Sequence, residues 1–169
     1  MSKAFTRESD EVPEQPILLR LPTLPPGTKN YLTPDGARRL REELDRLMQV
    51  ERPQATAAAE GSDARGSLPS LDQRILHLQE SLHTAVVVPP PAPPHEQVRF
   101  GATVTVRERG GEESRYRLVG VDETDIDRGW VSWLSPIARA LLNARLGQRV
   151  RFKSPAGERE LEITGIAYE

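Results

Sequence analysis

Glu60 and Asp63 stand three residues apart in the run Glu60-Gly61-Ser62-Asp63, where two carboxylates at a turn have the oxygen chemistry to share a Mg²⁺ ion with a second site. An acidic pair in a stretch rich in Gly, Ser and Ala is more often a solvated turn, and that reading takes precedence. Other metal or nucleophile chemistry is poorly provided for. There is no cysteine, which excludes disulfides and thiolate sites, and His77, His83 and His95 lack any ligand spacing. His77 and His83 read as helix-surface residues. No catalytic residue, metal ligand or cofactor is therefore assigned.

The elements that would carry these residues come from a chain that is not uniformly packed. Its 169 residues are 37% hydrophobic and include 15 prolines. With 23 basic and 25 acidic side chains the formal charge is -2, which gives no general attraction to nucleic acid or anionic membrane. Any nucleic-acid contact is expected to be local or indirect. Residues 1–20 scatter charge and proline where a secretory signal needs an apolar core, and no later run reaches membrane-spanning length. A cytoplasmic, monomeric protein without membrane contact is expected.

Two proline-rich stretches divide the chain. Leu21 to Gly27 closes an arm over residues 1–30, and Val88 to Pro94 falls in an extended linker, 87–95, that no helix can cross. Between them, 31–86 is predicted to form an antiparallel helical hairpin. Thr33-Pro34-Asp35 supplies an N-cap, a proline at the first helical position and an early acid. Leu40, Leu44 and Leu47 form one narrow apolar stripe; Leu71, Ile75, Leu78 and Leu82 form another. Facing residue numbers then sum to about 122–126, which puts the turn near residues 61–63 and the tip at Glu60, Gly61, Ser62 and Asp63. From Leu82 to that tip is ~20 residues, or ~30 Å.

After the linker the period changes to two. Residues 103–106, 116–121, 131–133, 150–152 and 161–166 read as strands, with turns at Gly110-Gly111 and Ser154-Pro155-Ala156-Gly157. Ser135 and Pro136 begin a helix over Ile137 to Arg145 that ends by Gly147. The expected class is α+β: a helical hairpin followed by a small antiparallel sheet domain, 96–169, with one helix.

Three stretches carry a family likeness: YLTPDGARRLREELDRLMQVERPQ at 31–54, FGATVTV through YRLVGVDE at 100–123, and LSPIARALLNARLGQRVRFKSPAGERELEITGIAY at 134–168. Together they resemble the bacterial GreA/GreB transcript cleavage factors. The resemblance implies an FKBP-like C-terminal domain seated on the rim of the RNA polymerase secondary channel, with the hairpin entering the channel. It further implies that Leu134, Ser135, Pro136, Ile137, Ala138 and Arg139 face the polymerase. Relatives place an acid just before Ser-Pro, where this chain has Leu134.

A second departure concerns chemistry. Cleavage-competent members carry a tip segment resembling GD-x-SENA-x-Y, whose acids help hold a metal ion in the polymerase. It is absent here, in a deletion of roughly a dozen residues that would shorten the hairpin by ~9 Å. The expected function is polymerase binding without stimulated cleavage. One rival is an active cleavage stimulator using Glu60 and Asp63; another is a prolyl isomerase or chaperone with Phe100, Trp130 and Trp133 lining a groove, although strand aromatics are more often core. Arg38, Arg39, Arg41, Arg46 and Arg52 could follow RNA or polymerase carboxylates, but the acids among them favour an ion-paired helix face.

Overall fold

The computed structural model describes residues 21–59 and 67–169. The hairpin grows from a two-stranded root. Strand β1, Asn30–Leu32, runs parallel to β2, Ala85–Val87, so the chain enters and leaves the hairpin side by side. Asn30 fastens this root to the second arm, its Nδ2 donating to Ser81 O at 2.9 Å and to Ser81 Oγ at 3.1 Å.

Helix α1, Pro34–Arg46, starts as its sequence requires: Thr33 is extended, its hydroxyl accepts from Gly36 N at 3.0 Å, and Pro34 occupies the first turn. Leu40 and Leu47 are buried against Ile75 and Leu78 of α3, Leu68–Thr84, with Leu44, Leu71 and Leu82 at the margins. The arms are cross-linked by Arg74, which donates to both Glu43 oxygens at 2.8 and 2.9 Å, and by Arg52 with Asp72 at 2.6 Å. The leucine spacing places the expected turn near residues 61–63. That turn, and with it Glu60, Gly61, Ser62 and Asp63, lies outside the described residues.

The leucine spacing does not anticipate a π-helical turn at Leu47–Glu51, in which Arg52 N donates to Leu47 O five residues back. Proline explains it. Pro53 has no N–H and its ring would press on the carbonyl four residues earlier, so one wider turn relieves the clash. The extra residue rotates all that follows by about 100°. Ala55 and Ala59 of α2, Arg52–Ala59, are consequently half-buried, whereas Gln54 and Ala58, which would continue the stripe, are exposed.

The C-terminal part is a five-stranded sheet in the order β5-β4-β3-β7-β6, formed by β3 Ala102–Glu108, β4 Glu113–Val119, β5 Trp130–Ser132, β6 Arg149–Ser154 and β7 Gly157–Tyr168. A register shift at Thr105/Val106 opposite Gly165 lets the twelve-residue β7 bend and pair with both β3 and β6. The sheet corrects the all-antiparallel expectation: β5 runs parallel to β4, because the long excursion through residues 120–129 returns the chain in the same direction. Helix α4 is also shorter than expected, ending at Leu141 rather than Arg145. Leu142 leaves the helical region with a ψ of 134° and Asn143 takes a positive φ of 66°, a turn that stops the helix before the glycine. The mixed helix and sheet class is as expected.

The core under the sheet gathers Val98, Val104, Leu118, Leu141, Leu161 and Ile163 with smaller neighbours, and none of its buried members comes from the hairpin. Residues 95–169 expressed alone should therefore fold, with a β-rich circular dichroism spectrum and a single cooperative melt. A spectrum of disordered chain would show that the hairpin root is needed for folding.

Candidate functional site

Segment 134–139 is shaped by the end of β5 and the cap of α4. Trp133 N donates to Val119 O at 2.9 Å, and Ser135 N returns to Ser132 O at 2.9 Å, so the chain reverses tightly before the helix. Ser135 Oγ then accepts from Ala138 N at 3.3 Å, with Pro136 in the first helical turn. These constraints sort the six residues. Ala138 is fully buried and Ile137 packs against the sheet core, while Pro136 and Arg139 are exposed and Leu134 and Ser135 are half-buried. Leu134, Ser135, Pro136 and Arg139 form the outer side of the segment, and Ile137 and Ala138 pack it against the sheet domain.

A second group was not anticipated from sequence. The turn Val121–Glu123 after β4 inserts two acids between the arms of the hairpin. Asp122 faces α3: His77 Nε2 lies 2.6 Å from its Oδ1, and Ser81 Oγ donates to its Oδ2. Glu123 faces the start of α1, its side chain only 1% exposed. Its Oε2 accepts from Thr33 N at 3.0 Å and Gly120 N at 2.9 Å, and its Oε1 accepts from Thr33 Oγ1. Arg39 Nη2 stands 3.9 Å away. The carboxylate thus lies at the N-terminal end of α1, where unpaired backbone N–H groups and the helix dipole favour an anion.

Glycine makes room for it. A methyl group on Gly36 would sit 1.8 Å from Glu123 Oε1, and one on Gly120 would sit 2.2 Å from Tyr31 O. The sequence did carry a signal. Glycine in the first turn of an otherwise well-made helix costs up to about 1 kcal/mol relative to alanine and invites a packing explanation. His77 is accordingly no plain surface residue; its side chain is 18% exposed and bound to Asp122.

The aromatic residues separate into two environments. Tyr31, Phe100 and Trp133 meet where the hairpin root touches the sheet domain, with centroids 5.0 Å apart for Tyr31–Trp133 and 5.6 Å for Tyr31–Phe100. Trp130 instead stacks with the guanidinium groups of Arg39, Arg117 and Arg128 at 4.5, 5.0 and 5.1 Å from its ring centroid. Of the five arginines of the first arm, Arg38, Arg39, Arg46 and Arg52 form ion pairs with acids, and Arg41 has none among the described residues. Arg38 holds the Asp35 carboxyl below its usual range through their hydrogen bond. No grouping of three or more metal-ligating side chains occurs among the described residues. Nor is any described helix long and apolar enough to cross a membrane.

The family model for the transcription elongation factor GreA/GreB C-terminal domain matches residues 93–168. Transcription elongation factor GreB of Neisseria meningitidis is 37% identical over 155 positions, covering 83% of this chain and 95% of the relative. Transcription elongation factor GreA of Alkalilimnicola ehrlichii is 42% identical over 156 positions, covering 83% of this chain and 99% of the relative. A solved GreA/GreB factor from Nitrosomonas europaea is 25% identical, covers 83% of this chain and 100% of that one, and superposes with a TM-score of 0.42. The chain belongs to the GreA/GreB family of transcription elongation factors.

Coverage of 83% of 169 residues is about 140 residues, yet the alignment to the Neisseria factor runs over 155 positions, so about 15 of them have no counterpart in this chain. The Alkalilimnicola alignment, with 156 positions and the same coverage, gives the same result.

Replacing Gly36 by alanine should destabilise the protein by about 2 kcal/mol or more in chemical denaturation, since the new methyl must displace a buried carboxylate. Glu123→Ala should cost roughly 2–4 kcal/mol by leaving the Thr33 and Gly120 N–H groups without their acceptor. A loss below about 0.5 kcal/mol in both would show that Glu123 does not hold the hairpin.

Proposed function

We propose that this chain binds bacterial RNA polymerase at the rim of the secondary channel through the surface of segment 134–139. On this reading its hairpin points into the channel without delivering metal ligands to the polymerase active centre. Any catalysis belongs to the polymerase, and the chain acts as a binding module. Family membership supports the partner. The observation that carries the absence of cleavage is the shortfall of about 15 aligned positions, which we place at the hairpin tip, where the acidic segment of cleavage-competent relatives is missing. Shared over two arms, such a deletion withdraws the tip by ~10 Å. A carboxylate must come to ~2.0–2.6 Å from Mg²⁺ or Ca²⁺ to ligate it, so a shortfall on that scale removes direct coordination altogether.

The same reading keeps the expected division of labour. Residues 96–169, for which we retain the FKBP-like description, supply the docking domain; 31–86 supply the hairpin, 87–95 the linker and 1–30 an arm. The isomerase alternative loses support from the aromatic geometry. Phe100 and Trp133 stand together with Tyr31, whereas Trp130 is surrounded by arginines elsewhere, so the three residues do not line one groove.

Saturating amounts of the purified chain should leave RNA cleavage in a backtracked elongation complex at its intrinsic rate, while competing with a cleavage-competent relative in proportion to concentration and affinity. Accelerated cleavage that Glu60→Ala or Asp63→Ala abolishes would show that the short hairpin reaches the metal. Ser135→Asp combined with Arg139→Glu should weaken polymerase binding by about tenfold or more at unchanged melting temperature, because an acid preserves the N-cap while reversing the surface charge. Unchanged affinity would remove this segment from the interface.

A further inference from the structure

Between the second arm of the hairpin and the acid turn lies a cavity of about 360 Å³, a volume in the range of small-molecule sites, ~300–1,000 Å³. Parts of the chain remote in sequence line it: Asn30 at the root, His77, Glu80 and Ser81 of α3, and Asp122 of the turn after β4. Leu24 and Val121 add apolar wall. None of the lining residues belongs to the aromatic corner or to segment 134–139.

The polar groups of this wall are rich in acceptors and short of donors. Asn30 is 4% exposed and its Nδ2 donates to Ser81 and Thr84, yet among the described residues no donor reaches its Oδ1. A buried carbonyl oxygen without a donor is costly, so it marks a place where a donor belongs. The Asp122 side chain is 5% exposed and holds His77 and Ser81, one on each oxygen, which leaves each oxygen a further lone pair. Glu80 is exposed and has no ion pair among the described residues. The lining contains neither lysine nor arginine; its groups able to carry positive charge are His77, already engaged by Asp122, and exposed His83.

Such a wall suits a cation that brings several N–H donors on an apolar stem. A primary ammonium has three donors and no acceptor, so it can serve Asn30 Oδ1 and a carboxylate together while its methylene chain lies on Leu24 and Val121. A bare metal ion suits it less, since no grouping of three or more ligating side chains occurs among the described residues. We propose that this cavity binds a small aliphatic amine, which acts as an effector by fastening the hairpin to the sheet domain. Asn30 and α3 belong to the hairpin and Asp122 to the sheet domain, so the cavity exists only when the two are assembled. An amine that binds there has affinity for that orientation alone and shifts the population toward it. The site is separate from segment 134–139 and stands whether or not that segment meets the polymerase.

Titration of the full-length chain with 1,4-diaminobutane, followed by calorimetry and NMR, tests this. Saturable binding at one site is expected, with a dissociation constant of about 1 mM or lower and a melting temperature that rises with diamine concentration. The side-chain amide signals of Asn30 and the backbone signals of residues 80–84 and 121–122 should move. Butane-1,4-diol, of equal length and uncharged, should bind at least about tenfold more weakly. Glu80→Lys sets a competing ammonium at the cavity and should lower diamine affinity by at least about tenfold. Glu112→Lys makes the same change of charge in the exposed turn between β3 and β4, lines no part of the cavity, and should leave affinity at the parent's value. Both positions are exposed, so both variants should keep the parent's circular dichroism. Should Glu80→Lys fail to fold, the diol comparison and the Asn30 signals decide. Equal losses in the two variants would reduce the effect to general attraction between a cation and an acidic protein, and overturn the site. Equal binding of the diol, unmoved Asn30 signals at saturation, or no saturable binding would overturn it as well.

Discussion

A single buried carboxylate holds the two halves of this protein in register. Glu123 is covered by the start of α1 on one side and by its own turn on the other, and it is saturated by donors drawn from both. Taking a carboxylate out of water is costly unless hydrogen bonds replace hydration, and here backbone N–H groups do so in fixed directions. Such a site specifies geometry more than it adds net stability, because only one placement of the helix satisfies every donor. Asp122, the preceding residue, repeats the arrangement against α3, so adjacent acids grip one arm each.

The other contacts between the halves follow from that grip. With α1 and α3 seated on residues 121–123, β1 and β2 lie parallel at the root and Leu32 is fully buried beneath Gly120. Tyr31, on the opposite face of β1, is then carried to Phe100 and Trp133. Trp133 of the aromatic corner directly precedes segment 134–139, so the acid turn and that segment are joined through a short β-strand. The segment's own shape is local: Leu134 N and Ser135 N donate back to Ser132, and Ser135 caps the helix start.

The sequence is most legible where one physical rule dominates. Thr33-Pro34-Asp35 and Ser135-Pro136 mark helix starts because capping and proline geometry act over a few residues, and both are found where expected. The leucine stripes are likewise buried at Leu40, Leu47, Ile75 and Leu78. What escapes is set by distant partners. The parallel pairing of β5 depends on how residues 120–129 fold back, and α4 ends early because Asn143 turns left-handed with no glycine to announce it. Glu123 escapes for the same reason: nothing within ten residues of it reveals that its partners are Thr33 and Gly36. Within segment 134–139 the sequence marks the capped helix start, but the sorting of exposed Pro136 and Arg139 from buried Ala138 required the sheet.

The π-helical turn ahead of Pro53 gives the hairpin uneven mechanical properties. Below it, leucine and isoleucine side chains interlock and a bidentate Arg74–Glu43 pair braces the arms. Beyond it, the inward positions of the first arm are Ala55 and Ala59, and α2 buries no residue fully. Apolar contact scales with area, so alanine gives each turn far less cohesion than leucine does. The result is a lever with a rigid base and a compliant outer length. A lateral load on its end is absorbed by parting of the outer turns, leaving the angle set by Glu123 at the base unchanged.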